Sequence, residues 1–436
     1  MHSDALPVPG RAVSLNLNVR GMKRSATLAI NERCRELRSE GREVCHLGFG
    51  QSPFPVPEPV VETLRQNAHQ KDYLPVQGLH KLRKAVARYH WDQDGVRSKA
   101  KDVIVGPGSK ELMFMLQMVF SGEIIVPTPC WVSYGPQARI LGRPLTMLHT
   151  TFESRWRLTA RQLISHCQHQ QDDERPRLLI INSPSNPDGG MYTDEELEDL
   201  ADAARSYGIL VLSDEIYAGL RFGGKGASIS RFYPEGTILS SGLSKWCGAG
   251  GWRLGTFTFP PHLGWLLRAM CAVASETYTT VSAPIQYAAV TAFTPDQAID
   301  EYLAHCRRIL AAVGETVVDR LTSAGVKVQP PSGGFYVFPD FSGFRERLAA
   351  RGITESDVMC ERLLEEAGVA LLPGVDFLRA ATDLTARLSF VDFDGGEALE
   401  ASRKIGLDAP LPADFVEGHC ARMVAGLERI GEWAAS

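Results

Sequence analysis

The stretch Ser240-Ser241-Gly242-Leu243-Ser244-Lys245-Trp246-Cys247-Gly248-Ala249-Gly250-Gly251-Trp252-Arg253-Leu254-Gly255 organises the rest of this sequence. It places Lys245 among small residues at the end of an apolar run, eight positions before an arginine. A free lysine titrates near pH 10.4 and is a poor nucleophile at neutral pH until its surroundings change that. A solvated surface lysine is the alternative, but the small, apolar neighbours argue against it. Lys245 is therefore the candidate nucleophile, an amine that forms and breaks an imine.

Short apolar strands alternate with helical patterns on both sides of this stretch. The predicted strands are 103–105, 123–126, 178–182, 209–213, 237–240 and 254–259, and the helices among them include 109–120 and 194–206. Uninterrupted strands rich in leucine and β-branched residues, separated by helices, are typical of a mostly parallel sheet covered on both faces. The sequence predicts an α/β fold.

The two ends of the chain predict a smaller α+β lobe. Its predicted helices are 25–39, 301–324, 355–367 and 415–433, and its predicted strands are 44–49, 326–328, 334–338 and 385–390. We predict a mobile N-terminal arm over 1–20, the first part of the small lobe over 21–55, a large α/β domain over 56–295 and the rest of the small lobe over 296–436. Residues 415–433 carry apolar side chains on one helical stripe.

Composition argues against several classes of protein. The 436 residues are 44% hydrophobic and 22% charged, with a net charge of −5 and no clustering of basic residues, so we expect no nucleic-acid partner. No apolar run has membrane-spanning length, and residues 1–10 lack the pattern of a secretory signal. The nine cysteines are dispersed, without the spacing of a metal site. We expect reduced thiols, no metal and a cytoplasmic protein.

The first predicted core strand runs into Gly106-Pro107-Gly108-Ser109-Lys110 and then a helix. Glycines permit close backbone approach, and a helix N-terminus offers free N–H groups, so this turn is a candidate phosphate site. An ordinary turn with Ser109 as the helix N-cap is the alternative. Ser244 and Arg253, which flank Lys245, are able to reach the same anion.

Two further loops follow core strands. Trp131, in a loop that contains prolines, is suited to stack on a flat cofactor, although a packed core aromatic is the alternative. Asn186, in Asn182-Ser183-Pro184-Ser185-Asn186-Pro187, is able to donate to an oxygen of that cofactor. A turn before proline is its alternative. Ligands of open α/β sheets bind at the carboxyl ends of the strands, where these loops lie.

Ser213-Asp214-Glu215-Ile216-Tyr217 ends another buried strand. A carboxylate there is costly unless something positive faces it. Pairing of Asp214 with a protonated ring nitrogen, while Tyr217 reaches a phenolic oxygen, meets that cost. A helix-capping aspartate is the alternative, but it leaves Tyr217 unexplained. A ring, a phosphate, an acid partner and a lysine together indicate pyridoxal phosphate bound as a Schiff base.

With these motifs in order, the chain resembles the class I/II pyridoxal-phosphate aminotransferases of fold type I. It is most similar to the microbial aspartate and aromatic aminotransferases, on Ser183 to Gly189, Ser213 to Tyr217 and Ser244 to Gly255. The resemblance runs from about Gly21 to Leu399. It implies a mostly parallel central sheet flanked by helices, a small lobe built from both chain ends and a homodimer with shared active sites.

The resemblance also implies roles for individual residues. Lys245 matches the lysine that holds the cofactor and moves the proton. Asp214 matches the partner of the pyridinium nitrogen, and Tyr217 and Asn186 match the two residues that bind the 3′-oxygen. Trp131 matches the ring-stacking aromatic. The phosphate cup matches Gly108, Ser109, Lys110 through its backbone N–H, Ser244 and Arg253, and Tyr73 matches the tyrosine that reaches the phosphate of the neighbouring subunit. Arg387 matches the arginine for the substrate carboxylate, and Gly50, Trp131 and Asn186 are the other expected substrate contacts.

Three positions depart from the family pattern. Gly242 replaces a hydroxyl residue three positions before the lysine, so one phosphate bond is expected to be missing or supplied by water. Asp188 stands where threonine is usual, and we expect this to matter little. Gln51-Ser52-Pro53 replaces the usual Glu-Pro-Asp near the substrate carboxylate, which leaves the substrate preference open.

The leading hypothesis is transamination between an L-amino acid and a 2-oxo acid by a ping-pong mechanism. The alternative keeps the cofactor in a lyase, cyclase or oxidase, because the fold does not fix the reaction. A third hypothesis is a regulatory domain that only binds its ligands, but residues 1–21 are too short for the DNA-binding module of such proteins. Aspartate, alanine, glutamate and aromatic amino acids all remain open as donors, with 2-oxoglutarate as the acceptor implied by the resemblance.

Overall fold

The computed structural model describes residues 15–22, 26–169, 174–224 and 226–436. Its helices in these ranges are α1 (Ala26–Ser39), α2 (Glu58–Asn67), α3 (His80–Asp94), α4 (Ser109–Val119), α5 (Tyr134–Ile140), α6 (Ala160–Gln168), α7 (Asp194–Ser206), α8 (Gly264–Glu276), α9 (Ala283–Ala292), α10 (Gln297–Ser323), α11 (Arg345–Ala350), α12 (Ser356–Ala367), α13 (Gly395–Ile405), α14 (Phe415–His419) and α15 (Ala421–Ala435). The strands are β1 (Cys45–His46), β2 (Val103–Gly106), β3 (Glu123–Thr128), β4 (Leu145–His149), β5 (Arg177–Asn182), β6 (Leu210–Asp214), β7 (Thr237–Gly242), β8 (Gly255–Thr258), β9 (Tyr336–Val337), β10 (Val369–Ala370), β11 (Leu372–Pro373) and β12 (Ala386–Ser389).

A seven-stranded sheet in the order β2-β8-β7-β6-β5-β3-β4 forms the centre of the fold. All its strands run parallel except β8, which is antiparallel to both of its neighbours. Helices α4 and α8 pack apolar side chains on one face of the sheet, and α6 and α7 pack on the other. Burial on both faces explains the uninterrupted apolar strands, and the predicted α/β core is confirmed.

The direction of the strands assembles the candidate site. Because β2, β3, β5, β6 and β7 all run the same way, their carboxyl ends meet at one edge of the sheet. The segments that carry Gly108, Trp131, Asn186, Asp214 and Lys245 follow or end these five strands.

Both ends of the chain build the smaller lobe, as predicted. Strand β1 pairs parallel with β10, with Cys45 opposite Val369, and β11, β12 and β9 form an antiparallel sheet beside them. Of the predicted arm, residues 1–14 lie outside the described residues. The Nδ2 of Asn18 donates to the carbonyl of Ile140, at the end of α5.

Some element boundaries differ from the prediction for visible reasons. Helix α10 begins four residues earlier than predicted, because the Asp296 carboxylate caps it by accepting from the N–H groups of Ala298 and Ile299. The predicted strand 326–328 is reduced to a single bridge between Lys327 and Asp340, and Pro330-Pro331 follows without N–H donors. The predicted helix 415–433 is interrupted at Cys420 (φ −127°), which separates α14 from α15.

Candidate active site

A cleft of about 520 Å³ lies between the carboxyl edge of the sheet and the small lobe. It brings together eleven of the thirteen predicted site residues, which are Gly50, Ser109, Lys110, Trp131, Asn186, Asp214, Tyr217, Ser244, Lys245, Arg253 and Arg387. Gly108 lies directly against Arg253, and Tyr73 lies elsewhere.

Asp214 is the last residue of β6 and is buried. Tyr134 donates its hydroxyl to Oδ2 over 2.8 Å, and Ser240 donates to Oδ1 over 3.2 Å. Burial raises the pKa of Asp214 to about 6, although these two hydroxyls and the N–H of Ile216 oppose that rise. A buried carboxyl whose hydrogen bonds come from neutral groups is suited to a cationic partner.

A chain of polar contacts runs from Tyr217 to Arg387. Asn186 lies between them: its Nδ2 donates to the Tyr217 hydroxyl over 3.5 Å, and its Oδ1 accepts from Arg387 Nη1 over 3.1 Å. The Tyr217 hydroxyl also lies 3.0 Å from that of Tyr336. Burial raises the pKa of Tyr217 well above its ordinary value. Tyr217 therefore remains a neutral hydroxyl that is able to donate a proton in a hydrogen bond.

Arg387 is a buried guanidinium whose hydrogen bonds go to an amide and a carbonyl oxygen. Besides its bond to Asn186, its Nη2 donates to the Gly48 carbonyl over 2.6 Å, and its Nε makes no hydrogen bond. The rings of Tyr336 and Phe377 lie 4.6 and 5.3 Å from its Cζ. Burial lowers its pKa. This guanidinium is positioned to receive a carboxylate from the cleft.

Lys245 follows β7 by three residues and points its amine across the cleft. The Nζ donates to the Gly50 carbonyl over 2.7 Å and lies 5.5 Å from the centre of the Tyr217 ring. The amine is thus in contact with the small lobe and lines the same cleft as Asp214.

The turn before α4 has the geometry of an anion site. Gly108 has a φ of 93°, which strains any other residue, and a Cβ there would lie 2.2 Å from Arg253 Nη2 and would push that guanidinium away. Arg253 donates to the carbonyls of Gly250 and Pro107 over 3.0 and 3.3 Å. The N-cap of α4 is Gly108 rather than Ser109, which corrects the alternative of a Ser109 cap and leaves the Ser109 hydroxyl in the cleft.

Trp131 and Lys110 form one wall of the cleft. The Trp131 ring packs edge-on against Tyr134 with centroids 5.4 Å apart, and the Lys110 amine lies 5.0 Å from the centre of that indole. The pKa of Lys110 is lowered, first by desolvation and then by the charges of Arg253 and Lys245. The Lys110 side chain therefore adds a cation to the cleft, whereas the sequence indicated only its backbone N–H.

The structure explains two departures from the family pattern. A Cβ at Gly242 would lie 2.7 Å from the Leu254 carbonyl, so the pairing of β7 with β8 leaves no room for a hydroxyl side chain. Asp188 is buried and forms an ion pair with buried Arg157. The expectation that Asp188 matters little is wrong for the local structure, because its loss would leave a buried guanidinium without its partner.

Tyr73 is not brought into the cleft of its own chain. It lies between α2 and α3 with 88% of its surface exposed.

Sequence reasoning missed three residues around the site: Tyr134, Ser240 and Tyr336. Tyr134 and Ser240 hold Asp214, and Tyr336 contacts Tyr217 and Arg387. Ser240 lies five positions before the candidate lysine Lys245, and Tyr134 lies three positions after the candidate tryptophan Trp131. Their partners were not deducible, because no local pattern relates them to Asp214.

The fold and the cleft define an α/β enzyme whose site suits a phosphorylated ring cofactor beside a lysine. The start of α4 with Arg253 suits the phosphate, buried Asp214 suits a protonated ring nitrogen, and Trp131 offers a stacking face. No group of side chains among the described residues could hold a metal ion. In the same part of the chain, no helix combines the length and apolar composition needed to cross a membrane.

The chain belongs to the aminotransferase class I and II family, whose model matches residues 42–391. The aspartate aminotransferase of Bacillus sp. (strain YM-2) is 32% identical over 383 residues, which cover 85% of this chain and 93% of the relative. The aspartate/prephenate aminotransferase of Thermus thermophilus is 32% identical over 368 residues, which cover 83% of this chain and 91% of the relative. The solved aspartate aminotransferase from Thermus thermophilus with maleate superposes with a TM-score of 0.82 at 29% identity, covering 96% of this chain and 99% of that one.

The family fixes the cofactor and the type of reaction. The protein is a pyridoxal-phosphate-dependent aminotransferase of the fold type I class, which moves an amino group between an L-amino acid and a 2-oxo acid in a ping-pong cycle. These relatives give no support to the alternative of a lyase, cyclase or oxidase.

Proposed function

We propose that Lys245 is the residue that binds the cofactor covalently and then carries the proton. The observation behind this is the shared cleft: the Lys245 amine and the buried, high-pKa carboxyl of Asp214 line the same space. Bound pyridoxal phosphate supplies an electron sink for the charge left at the substrate α-carbon. With the cofactor bound, the Lys245 amine would serve as the base that takes the proton from the substrate α-carbon and as the acid that later gives it back.

Asp214 is the proposed partner of the protonated ring nitrogen. A cation there compensates the burial that raises its pKa, so the carboxylate stays ionised in the complete enzyme. Tyr217 and Asn186 are the proposed donors to the phenolic oxygen, since both point polar groups into the cleft and contact each other.

The phosphate is assigned to the turn before α4. Gly108 allows close approach, the N–H groups of Ser109 and Lys110 are free at the helix start, and Ser244 and Arg253 line the same side. A helix N-terminus and a guanidinium both favour a dianion.

Arg387 is the proposed site of the substrate α-carboxylate, with Gly50, Trp131 and Asn186 around it. Its hydrogen bonds to Asn186 and Gly48 hold the guanidinium without neutralising it, and the rings of Tyr336 and Phe377 exclude water from it. Charge-assisted bidentate pairing then orients the substrate.

We further propose an acidic amino acid as the donor and a dicarboxylic 2-oxo acid, 2-oxoglutarate, as the acceptor. The cations that line the cleft are Lys110, Lys245, Arg253 and Arg387. With the other three assigned to cofactor, phosphate and α-carboxylate, the amine of Lys110 is left for a side-chain carboxylate. The relatives named aspartate aminotransferases, and the Thermus structure with the dicarboxylate maleate, agree with this choice.

The assembly proposed is a homodimer in which Tyr73 completes the site of the partner. Its side chain is exposed and outside its own cleft, as a residue that serves a second copy has to be. None of the nine cysteines forms a disulfide, which suits the reducing cytoplasm that we propose as the location of the protein.

The covalent role is tested by reducing the holoenzyme with borohydride and locating the cofactor by peptide mass mapping. We expect the adduct on Lys245 and none in Lys245→Ala; an adduct on another lysine would refute the assignment. The substrate class is tested separately with Lys110→Met, which is expected to keep the adduct. Its kcat/KM should fall at least about tenfold for aspartate and glutamate but not for alanine. Equal losses for all three donors would count against the role of Lys110.

A further inference from the structure

A second cavity, of about 230 Å³, lies behind the active-site cleft. Helix α3, the segment after β6, the end of α9 and the start of α10 enclose it. None of the described residues lines both the cavity and the cleft. The two are nevertheless adjacent along the chain, because Glu215 follows Asp214 and Trp246 follows Lys245.

Four buried side chains line this cavity with polar atoms that make no hydrogen bond. His90, Asp94, Arg221 and Trp246 are each at most 5% exposed. The atoms concerned are both ring nitrogens of His90, Asp94 Oδ1, Arg221 Nε and Trp246 Nε1. Buried polar groups without a hydrogen bond are rare in native proteins, because each one loses its bonds to water without a replacement. These atoms include both hydrogen-bond donors and hydrogen-bond acceptors. A single ligand that pairs with all of them must therefore carry acceptor and donor groups of its own.

The charges around the cavity are of both signs. Arg221 lies between two carboxylates, with Nη2 3.2 Å from Glu215 Oε2 and Nη1 3.9 Å from Asp94 Oδ1. His90 Nδ1 lies 3.7 Å from Asp94 Oδ2. A second guanidinium, Arg307, lines the wall and donates its Nε to the Gly219 carbonyl over 2.9 Å. Three further carboxylates on the lining, those of Asp92, Asp296 and Asp300, are exposed or half-buried, where water screens their charge. Away from solvent, the carboxylates of Asp94 and Glu215 balance the two guanidiniums, and this balance disfavours a ligand with a net charge.

We propose that this cavity is a second binding site for a small zwitterion of the α-amino-acid class. The ammonium group would meet Asp94 and His90, and the carboxylate would meet Arg221 Nε and the Trp246 N–H. A simple cation would leave those two donors unsatisfied, and a simple anion would leave Asp94 unsatisfied. The volume agrees, because it exceeds the roughly 10–15 Å³ that one water needs and falls below the roughly 300–1,000 Å³ of drug-sized pockets.

The site is separate from the catalytic cleft but is coupled to it by position. A ligand that orders Glu215 and Trp246 orders the residues that directly follow Asp214 and Lys245. Occupation of the cavity is therefore expected to change the turnover rate of the enzyme. An amino acid would then act in two ways, as substrate in the cleft and as effector in the cavity.

The probe has to avoid the catalytic site, so N,N-dimethylglycine is used, a zwitterion whose tertiary amine cannot condense with an aldehyde. It is titrated calorimetrically into holoenzyme, with and without saturating succinate to occupy the Arg387 side of the cleft. We expect one ligand per chain in both titrations. Dimethylamine and acetate, which each carry one of the two charges, should bind at least tenfold more weakly.

Two variants and a control locate the binding. Thr294→Trp fills the mouth of the cavity, and Asp94→Asn removes an acceptor without changing its shape. The control is Gln297→Trp, which changes an exposed residue on α10 outside the cavity. The proposal is supported if N,N-dimethylglycine binds at least tenfold more weakly to either cavity variant and with unchanged affinity to the control. The absorbance of bound cofactor verifies that each variant is folded. The proposal is overturned if the wild type does not bind N,N-dimethylglycine, if succinate abolishes the binding, or if both cavity variants bind as the wild type does.

Discussion

The hydroxyl of Tyr134 donates a 2.8 Å hydrogen bond to Oδ2 of Asp214 and so joins the start of α5 to the end of β6. Burial raises the pKa of the Tyr134 hydroxyl well above its ordinary value, so the tyrosine stays protonated and acts as the donor. The bond favours the ionised form of Asp214, against the burial that favours the neutral form. Tyr134 is therefore a positioning residue that helps to set the charge beneath the proposed ring site.

Replacing Tyr134 by phenylalanine should raise the pKa of Asp214 further. A hydrogen bond to a charged group contributes about 1.5–3 kcal/mol, which corresponds to roughly 1–2 pH units. We expect the acidic limb of the kcat/KM profile to move up by about one pH unit and kcat to fall about tenfold. Tyr192→Phe is the matched control, because that buried hydroxyl accepts from the N–H of Leu158, outside the cleft. Identical pH profiles for the two variants would contradict the role of Tyr134.

The cofactor-free protein should show a stability change that depends on Asp214. The folded-state pKa, about 6, lies above the ordinary 3.8, so its contribution to stability is fully present below about pH 4 and is lost as the pH rises through about 6. The difference in unfolding free energy between wild type and Asp214→Asn should fall by up to about 3 kcal/mol from pH 4 to pH 7. Urea unfolding of both apoproteins measures it, and a difference independent of pH would show that Asp214 keeps an ordinary pKa.

Gly108→Ala should weaken cofactor binding beyond its effect on folding. The new Cβ would lie 2.2 Å from Arg253 Nη2, at a φ of 93°. Gly208→Ala is the control, with a positive φ of 60° and open space around the Cβ. Both changes should cost about 1–2 kcal/mol of stability, but only Gly108→Ala should raise the dissociation constant of pyridoxal phosphate, by at least about tenfold. Fluorescence titration of the apoproteins measures the constant, and equal affinities would remove Arg253 from the proposed phosphate site.

Mixing two inactive variants tests the shared site. If Tyr73 serves the partner, a heterodimer of Tyr73→Ala and Lys245→Ala chains contains one site with both native residues. Refolding an equal mixture should then recover about a quarter of wild-type activity, since half of the dimers are mixed and each has one intact site. Each variant refolded alone is the control, and a mixture no more active than those controls would contradict the proposed dimer.

The Asp188–Arg157 pair should matter for stability rather than for chemistry. Asp188→Thr, which restores the residue usual in the family, leaves a buried guanidinium unpaired and should cost about 3–5 kcal/mol in unfolding free energy. Adding Arg157→Met to that variant should recover most of the loss. Thermal and urea unfolding of the single and double variants measure the effect, and additive losses would show that the two side chains do not depend on each other.

The sequence by itself determined the α/β core and where along the chain most of the candidate site lies. Uninterrupted apolar strands report burial on both faces, and polar residues directly after them report the carboxyl edge of a parallel sheet, so Asp214, Asn186 and Lys245 were identifiable from local patterns. Helix α7 spans Asp194–Ser206 as predicted, and the structure shows a capping box of Thr193 and Glu196 at its start.

Only the tertiary structure decided which partners these residues have. Tyr134 lies 80 positions from Asp214, and Tyr336 lies 119 positions from Tyr217, and no periodicity in the chain links such pairs. The same holds for the buried pair of Asp188 with Arg157 and for the cavity lined by His90 and Arg221, which distant helices and loops enclose. Local patterns record whether a side chain is buried. The packing of distant segments decides what it is buried against.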